Sequence, residues 1–196
     1  MADMEQDLTD EDGLEERERH FDPTEPIFQE PPERLDEDWY HGFLIGGMAL
    51  YPESIDGKIM LARSFKEAGD SLVTKALADA DLSYEMAYPI MFLYRHAIEL
   101  YLKLAVPSAK PNHKLPSLIA DLDRLVHNRF RQALPQWVKD RLKEFHEIDP
   151  NSTSFRYGDV LHKNSFAGGE WWVEFGRVRQ TVSLIAAGFE RIAYGP

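Results

Sequence analysis

The chain of 196 residues contains no cysteine. That excludes disulfides, a thiol nucleophile and a thiolate zinc site, and it suits a reducing compartment. Long apolar runs are also missing. The longest, Trp39 to Tyr51, has 13 residues with His41 inside it, where a membrane-spanning helix needs about 20. The N-terminus, MADMEQDLTDEDG, is acidic where a secretory leader is basic and then apolar. The expectation is a cytoplasmic protein that neither enters nor crosses a membrane. No segment follows the alternating pattern of an extended sheet, no glycine-rich phosphate loop follows a strand, and no nucleophile elbow occurs. His96 and Glu99 have the His-x-x-Glu spacing once, in the reverse of the di-iron order, and no histidine pair has a third ligand at metal spacing. Neither a metal nor a cofactor is expected.

What is present is distributed unevenly. Residues 1–38 carry 16 acidic and three basic side chains, net −13, against +1 for residues 39–196. Isolated apolar residues and Pro23, Pro26, Pro31 and Pro32 deny this stretch a core, so it reads as a disordered acidic arm preceding one domain over 39–196. The arm suits either a solubilising role or the mimicry of a polyanion. Residues 110–143 hold eight basic against three acidic residues, net +5. The arm is expected to contact this segment at low salt and to compete there with nucleic acid.

The domain reads as all-α, an up-and-down bundle of about five helices. The first follows a Ser54–Asp56 cap, with Leu61, Phe65, Ala68, Leu72, Ala76 and Ala80 on its inner face. The second starts at Ser83 or Pro89 and ends at Ala105. The third and fourth open at Pro116 and Pro135, positions where proline suits a first turn, and reach Phe130 and Ile148. The last follows Gly168 and Gly169, with Phe175, Val178, Val182, Ile185, Phe189 and Ile192 in register. A short β-ribbon between Ser154–Tyr157 and Trp171–Glu174 is the one strand expectation. Trp171, Trp172 and Phe175 fit a core cluster or, alternatively, a base-stacking surface.

The second helix is the informative one. From Ile90 to Ala105 all residues are apolar or aromatic except Arg95, His96, Glu99 and Lys103, which share an arc of about 100° at 100° per residue. A helix apolar around the rest of its circumference belongs at the centre of its neighbours. The arc is then either a solvated stripe, with Glu99 and Lys103 in the favourable ion-pair order, or a polar cluster facing other polar groups.

The run Tyr94-Arg95-His96-Ala97-Ile98-Glu99-Leu100-Tyr101-Leu102-Lys103, then His113-Lys114-Leu115-Pro116-Ser117-Leu118, then Phe155-Arg156-Tyr157, resembles bacterial proteins grouped with the HEPN superfamily, over roughly residues 60 to 193. The resemblance implies a helical bundle, often a homodimer, that acts on or near RNA or nucleotides in toxin, antiphage or sensing systems. Some members are metal-independent ribonucleases and others have no known catalysis. Catalytic members carry an Arg followed, after four to six residues, by a His, which position phosphate and move protons during 2′-hydroxyl attack. Here Arg156 and His162 have that spacing, as do Arg141 and His146. The latter two diverge by about 140° on a continuous helix.

Arg156, His162 and His113 are therefore the candidate catalytic residues, although His113 equally suits a helix cap. Arg95, His96, Glu99, Lys103 and Tyr157 are the candidate binding residues. Arg156 or Tyr157 is expected to approach Glu99, because a charged strip on a central helix needs partners and the polar segment after the fourth helix can supply them. The partners expected are RNA or a nucleotide. A non-catalytic module that docks a partner protein through its bundle and acidic arm is the alternative.

Overall fold

The computed structural model describes residues 55–106, 114–157 and 172–194, all within a unit spanning 46–196. The described residues form six helices and no strand: α1 (Ile55–Ala78), α2 (Ala80–Ala105), α3 (Leu115–Phe130), α4 (Gln136–Ile148), α5 (Ser154–Tyr157) and α6 (Phe175–Tyr194). The all-α expectation holds among them. The acidic arm, the boundary at residue 39, Trp171, His113 and His162 lie outside the described residues. No helix among those described is long and apolar enough to cross a membrane.

The helices begin and end where local chemistry directs. Pro116 occupies the first turn of α3 and Pro135 caps α4, where a missing N–H costs no helical hydrogen bond. Arg131 ends α3 in the left-handed region, with φ 56°, and its N–H closes onto the His127 carbonyl at 3.0 Å. The second helix ends at Ala105 as expected but starts at Ala80, ahead of both Ser83 and Pro89. A single non-helical residue, Asp79, separates α1 from α2, and Pro89 lies inside α2 rather than at its start. Pro89 removes one helical donor, at an exposed position where water can replace it.

α2 packs against α1, α3, α5 and α6. Ile90, Met91, Tyr94, Ala97, Ile98, Tyr101, Leu102 and Leu104 are buried, with Leu93 half-buried. Cross-helix bonds fix the directions. Tyr94 donates to Asp70 Oδ1 at 2.7 Å, while Glu190 Oε1 accepts from Arg63 Nε at 2.8 Å and from Tyr101 at 3.0 Å. Tyr194 donates to Asp56 Oδ1 at 2.8 Å. Residues early in α1 thus meet residues late in α2 and α6, so α1 runs antiparallel to both.

The buried face of α1 differs from the one its large residues suggest. Leu61 and Ala68 are exposed, and Phe65 and Leu72 half-buried, while Gly57, Ile59, Ala62, Gly69, Val73 and Ala76 are buried. Small residues win this face because α2 lies close to the α1 backbone. A β-carbon at Gly69 would stand 2.8 Å from Cε1 of Tyr94.

The ribbon does not form at its first strand. Ser154–Tyr157 is one helical turn, α5, packed on α2, with only Ser154 and Phe155 buried.

Candidate functional site

The polar arc of α2 divides in two. Arg95 and Glu99 are each 1% exposed, which overturns the solvated-stripe reading for them, whereas Lys103 keeps about a third of its side chain in water. Arg95 Nη1 donates to Glu99 Oε2 at 3.2 Å, and Lys103 Nζ donates to Glu99 Oε1 at 2.7 Å. Arg95 Nε donates to the backbone oxygen of Asp149 at 3.2 Å and lies 3.4 Å from its carboxylate Oδ2. The result is a chain of alternating charge, Lys103, Glu99, Arg95, Asp149, formally neutral along its length. Such a chain tolerates burial where an isolated ion would not. His96 is half-buried and set between aromatic rings, edge-on to Phe65 at 4.4 Å and stacked on Phe92 at 6.0 Å.

Asp149, itself buried, links the chain to α5. Its backbone ends α4, its N–H reaching the Phe145 carbonyl at 3.2 Å. Its Oδ1 accepts the backbone N–H groups of Thr153 at 2.7 Å and Ser154 at 3.0 Å, satisfying donors at the start of α5 that have no helical partner. The turn between closes with Ser152 in the left-handed region, φ 59°. Sequence reasoning missed Asp149. The available signal was Asp149-Pro150-Asn151-Ser152 just before Thr153 and Ser154, a concentration of turn and cap formers.

Arg156 takes a different place from the one expected. The Glu99 carboxylate accepts from Arg95 and Lys103 of its own helix. Arg156 is exposed, its Nε donates to the Ser152 carbonyl at 2.6 Å, and its guanidinium lies 5.5 Å from the centre of the Tyr157 ring. Tyr157 is 69% exposed. Phe155, on the buried side of the same turn, meets the half-exposed Tyr88 ring edge-on at 6.5 Å. One turn of helix thus presents a cation and one aromatic ring, with Tyr88 of α2 exposed beside its buried Phe155, and it is anchored beneath by a buried ion pair. Trp172, a candidate for the core, is 93% exposed instead, while Phe175 is half-buried.

Arg141 falls within the arc of α4 that Val138, Leu142, Phe145 and Ile148 bury, while His146 stands to one side of that arc, at the 140° divergence that the helix sets. Arg141 reaches Glu144 at 2.7 Å, yet its Nε is buried without a partner, as is Nδ1 of His146. Burial, then the neighbouring Arg95, hold the His146 imidazole below its ordinary pKa. No group of three or more acidic or histidine side chains suited to a metal occurs among the described residues.

Comparison of the chain with family models, with curated proteins and with solved structures gives no match.

Proposed function

We propose that this chain is an RNA-binding protein built as a HEPN-like, up-and-down helical bundle, with α5 as its contact surface. The observation that carries the reading is the exposed pair of Arg156 and Tyr157 on a turn pinned to the core through Asp149 and Arg95. A guanidinium attracts and orients phosphate, and an exposed ring stacks on a base whatever its identity. Fixing both on an anchored turn lowers the ordering entropy lost on binding. Exposed Tyr88 and Trp172 add stacking surface. Single-stranded RNA is the substrate class favoured, since its bases are open to aromatic rings. The reading extends to a cytoplasmic homodimer, and to metal-independent cleavage with Arg156 against the phosphate and His162 as the proton carrier.

The test uses labelled single-stranded RNA and the full chain, with EDTA present. Binding that is lost in Arg156→Ala, at unchanged melting temperature, supports the reading. Cleavage that survives chelation but not that substitution adds the ribonuclease activity. If neither protein binds RNA, the reading fails and the exposed Tyr88 and Tyr157 are left to the alternative, a non-catalytic module that docks a partner protein.

A further inference from the structure

His146 stands in the last turn of α4, half-buried, and its Nδ1 is buried without a hydrogen-bond partner. A neutral imidazole can leave Nδ1 as its bare acceptor nitrogen. The imidazolium carries an N–H there, which must find an acceptor. Three charged groups act on the ring. Arg95 of α2 opposes a second cation, while Glu147 and Asp149, next to the ring in its own segment, favour one. Glu147 is exposed, so its charge is spent largely on water. From α3, Asp123 faces α4 but is held by Lys139 at 2.7 Å, toward the opposite end of the helix from His146. From α5, Arg156 is exposed and bound to the Ser152 carbonyl. The buried carboxylates among the described residues are Glu99 and Asp149, and Glu99 is paired with Arg95 and Lys103. Asp149, three residues on from His146, is therefore the acceptor that a charged ring would claim.

That carboxylate already has a task. Its Oδ1 accepts the N–H groups of Thr153 and Ser154, and its Oδ2 lies 3.4 Å from Arg95 Nε. α5 has four residues, too few to hold a helical turn by propensity alone, so the turn depends on this cap. We propose that His146 is a proton-operated latch on α5: the neutral ring leaves Asp149 to cap the turn, whereas the charged ring draws the Asp149 carboxylate away, repels Arg95 and frees Arg156 and Tyr157 from their fixed positions. The released form binds the proton more tightly than the capped form. The turn is therefore held near pH 7.5 and let go as pH falls below the ordinary 6.5 of histidine. A consequence for RNA rests on the reading of α5 as its contact surface, but the latch itself does not.

The full chain is titrated from pH 7.5 to 5 without RNA while NMR follows the His146 Cε1–H and the backbone amides of Thr153 and Ser154, with the amides of α1 and α6 reporting on the fold as a whole. The Thr153 and Ser154 amides are expected to move upfield, as their bonds to the carboxylate are lost, with the same midpoint as His146, while α1 and α6 hold still. In His146→Gln, whose amide takes up no proton, they are expected to stay in place. The latch is overturned if His146 stays neutral down to pH 5, if the two amides do not follow its midpoint, if they move equally in His146→Gln, or if α1 and α6 change with them. Should the variant fail to fold, the shared midpoint in the natural chain decides by itself. Affinity for a single-stranded RNA, measured on both sides of that midpoint, is expected to fall by about tenfold in the natural chain beyond any change in His146→Gln. If the amides respond as expected and the RNA affinity does not, the latch stands and the reading of α5 as an RNA surface fails.

Discussion

Arg95 is the residue on which most depends. It lies almost wholly out of water, satisfied by Glu99 along its own helix and by Asp149 at the end of α4. Removing one partner of a buried ion pair leaves the others uncompensated, so Arg95→Met is expected to destabilise the protein by about 3–5 kcal/mol in urea unfolding. Adding Glu99→Gln to that variant should recover part of the loss, because a neutral amide tolerates the vacated site better than a carboxylate. If the single variant unfolds like the natural chain, the ion chain is incidental. His146 gives a pH signature to the same region. Its folded pKa lies below the ordinary 6.5, so between those values the unfolded chain holds more protons than the folded one. Its contribution is therefore present in full above about 6.5 and lost as pH falls through the lower folded value. His146→Gln should flatten the fall in stability between pH 7.5 and 5.5, and an unchanged slope would contradict this. The polar arc was legible in the sequence because helical periodicity alone groups Arg95, His96, Glu99 and Lys103. Its partners were not. Arg95 and Glu99 stand in the weaker order for a surface helix pair, and Asp149 lies 54 residues from Arg95, beyond any local rule.

Among the elements, α1 shows how packing overrides the size of side chains. Its large apolar residues mark a helix clearly but mislead about the face, since what α2 needs is a row of small residues to lie against. Gly69→Ala tests this. The new β-carbon would meet the Tyr94 ring, itself tied to Asp70 on α1, and α2 would have to shift. Overpacking of this kind costs about 1–3 kcal/mol, while alanine returns about 1 kcal/mol in helix propensity. A net destabilisation is expected in thermal unfolding. A stabilised variant would show that the contact relaxes freely. The short α5 was misread as a strand for a related reason. Ser154 to Tyr157 has no helical period of its own, and its single turn exists because Asp149 caps it from below. The start of α2 was hidden by Pro89, a residue that commonly opens helices and here lies within one.

At the scale of the molecule, the described helices are arranged along α2. Toward its beginning, α5 stands on the buried ion chain and carries Arg156 and Tyr157 outward. At its far end, α3 buries Leu115, Leu118, Ile119, Leu122 and Val126. The helical class and most of the five long helices could be read from period and proline placement, since each is a local property. The site was legible only as a list of residues, because the contacts that sort them into buried anchor and exposed surface are long-range. The central claim is that the anchor is structural and the α5 surface binds RNA. It is tested most directly by measuring RNA affinity and melting temperature together on Arg156→Ala and Tyr157→Ala, by fluorescence anisotropy with a labelled single-stranded RNA. The account predicts that each substitution lowers affinity by about tenfold or more, in line with about 1–3 kcal/mol for a stacked base, with the melting temperature unchanged. Unchanged affinity in both proteins, or a fall in affinity that only follows a fall in melting temperature, would contradict it.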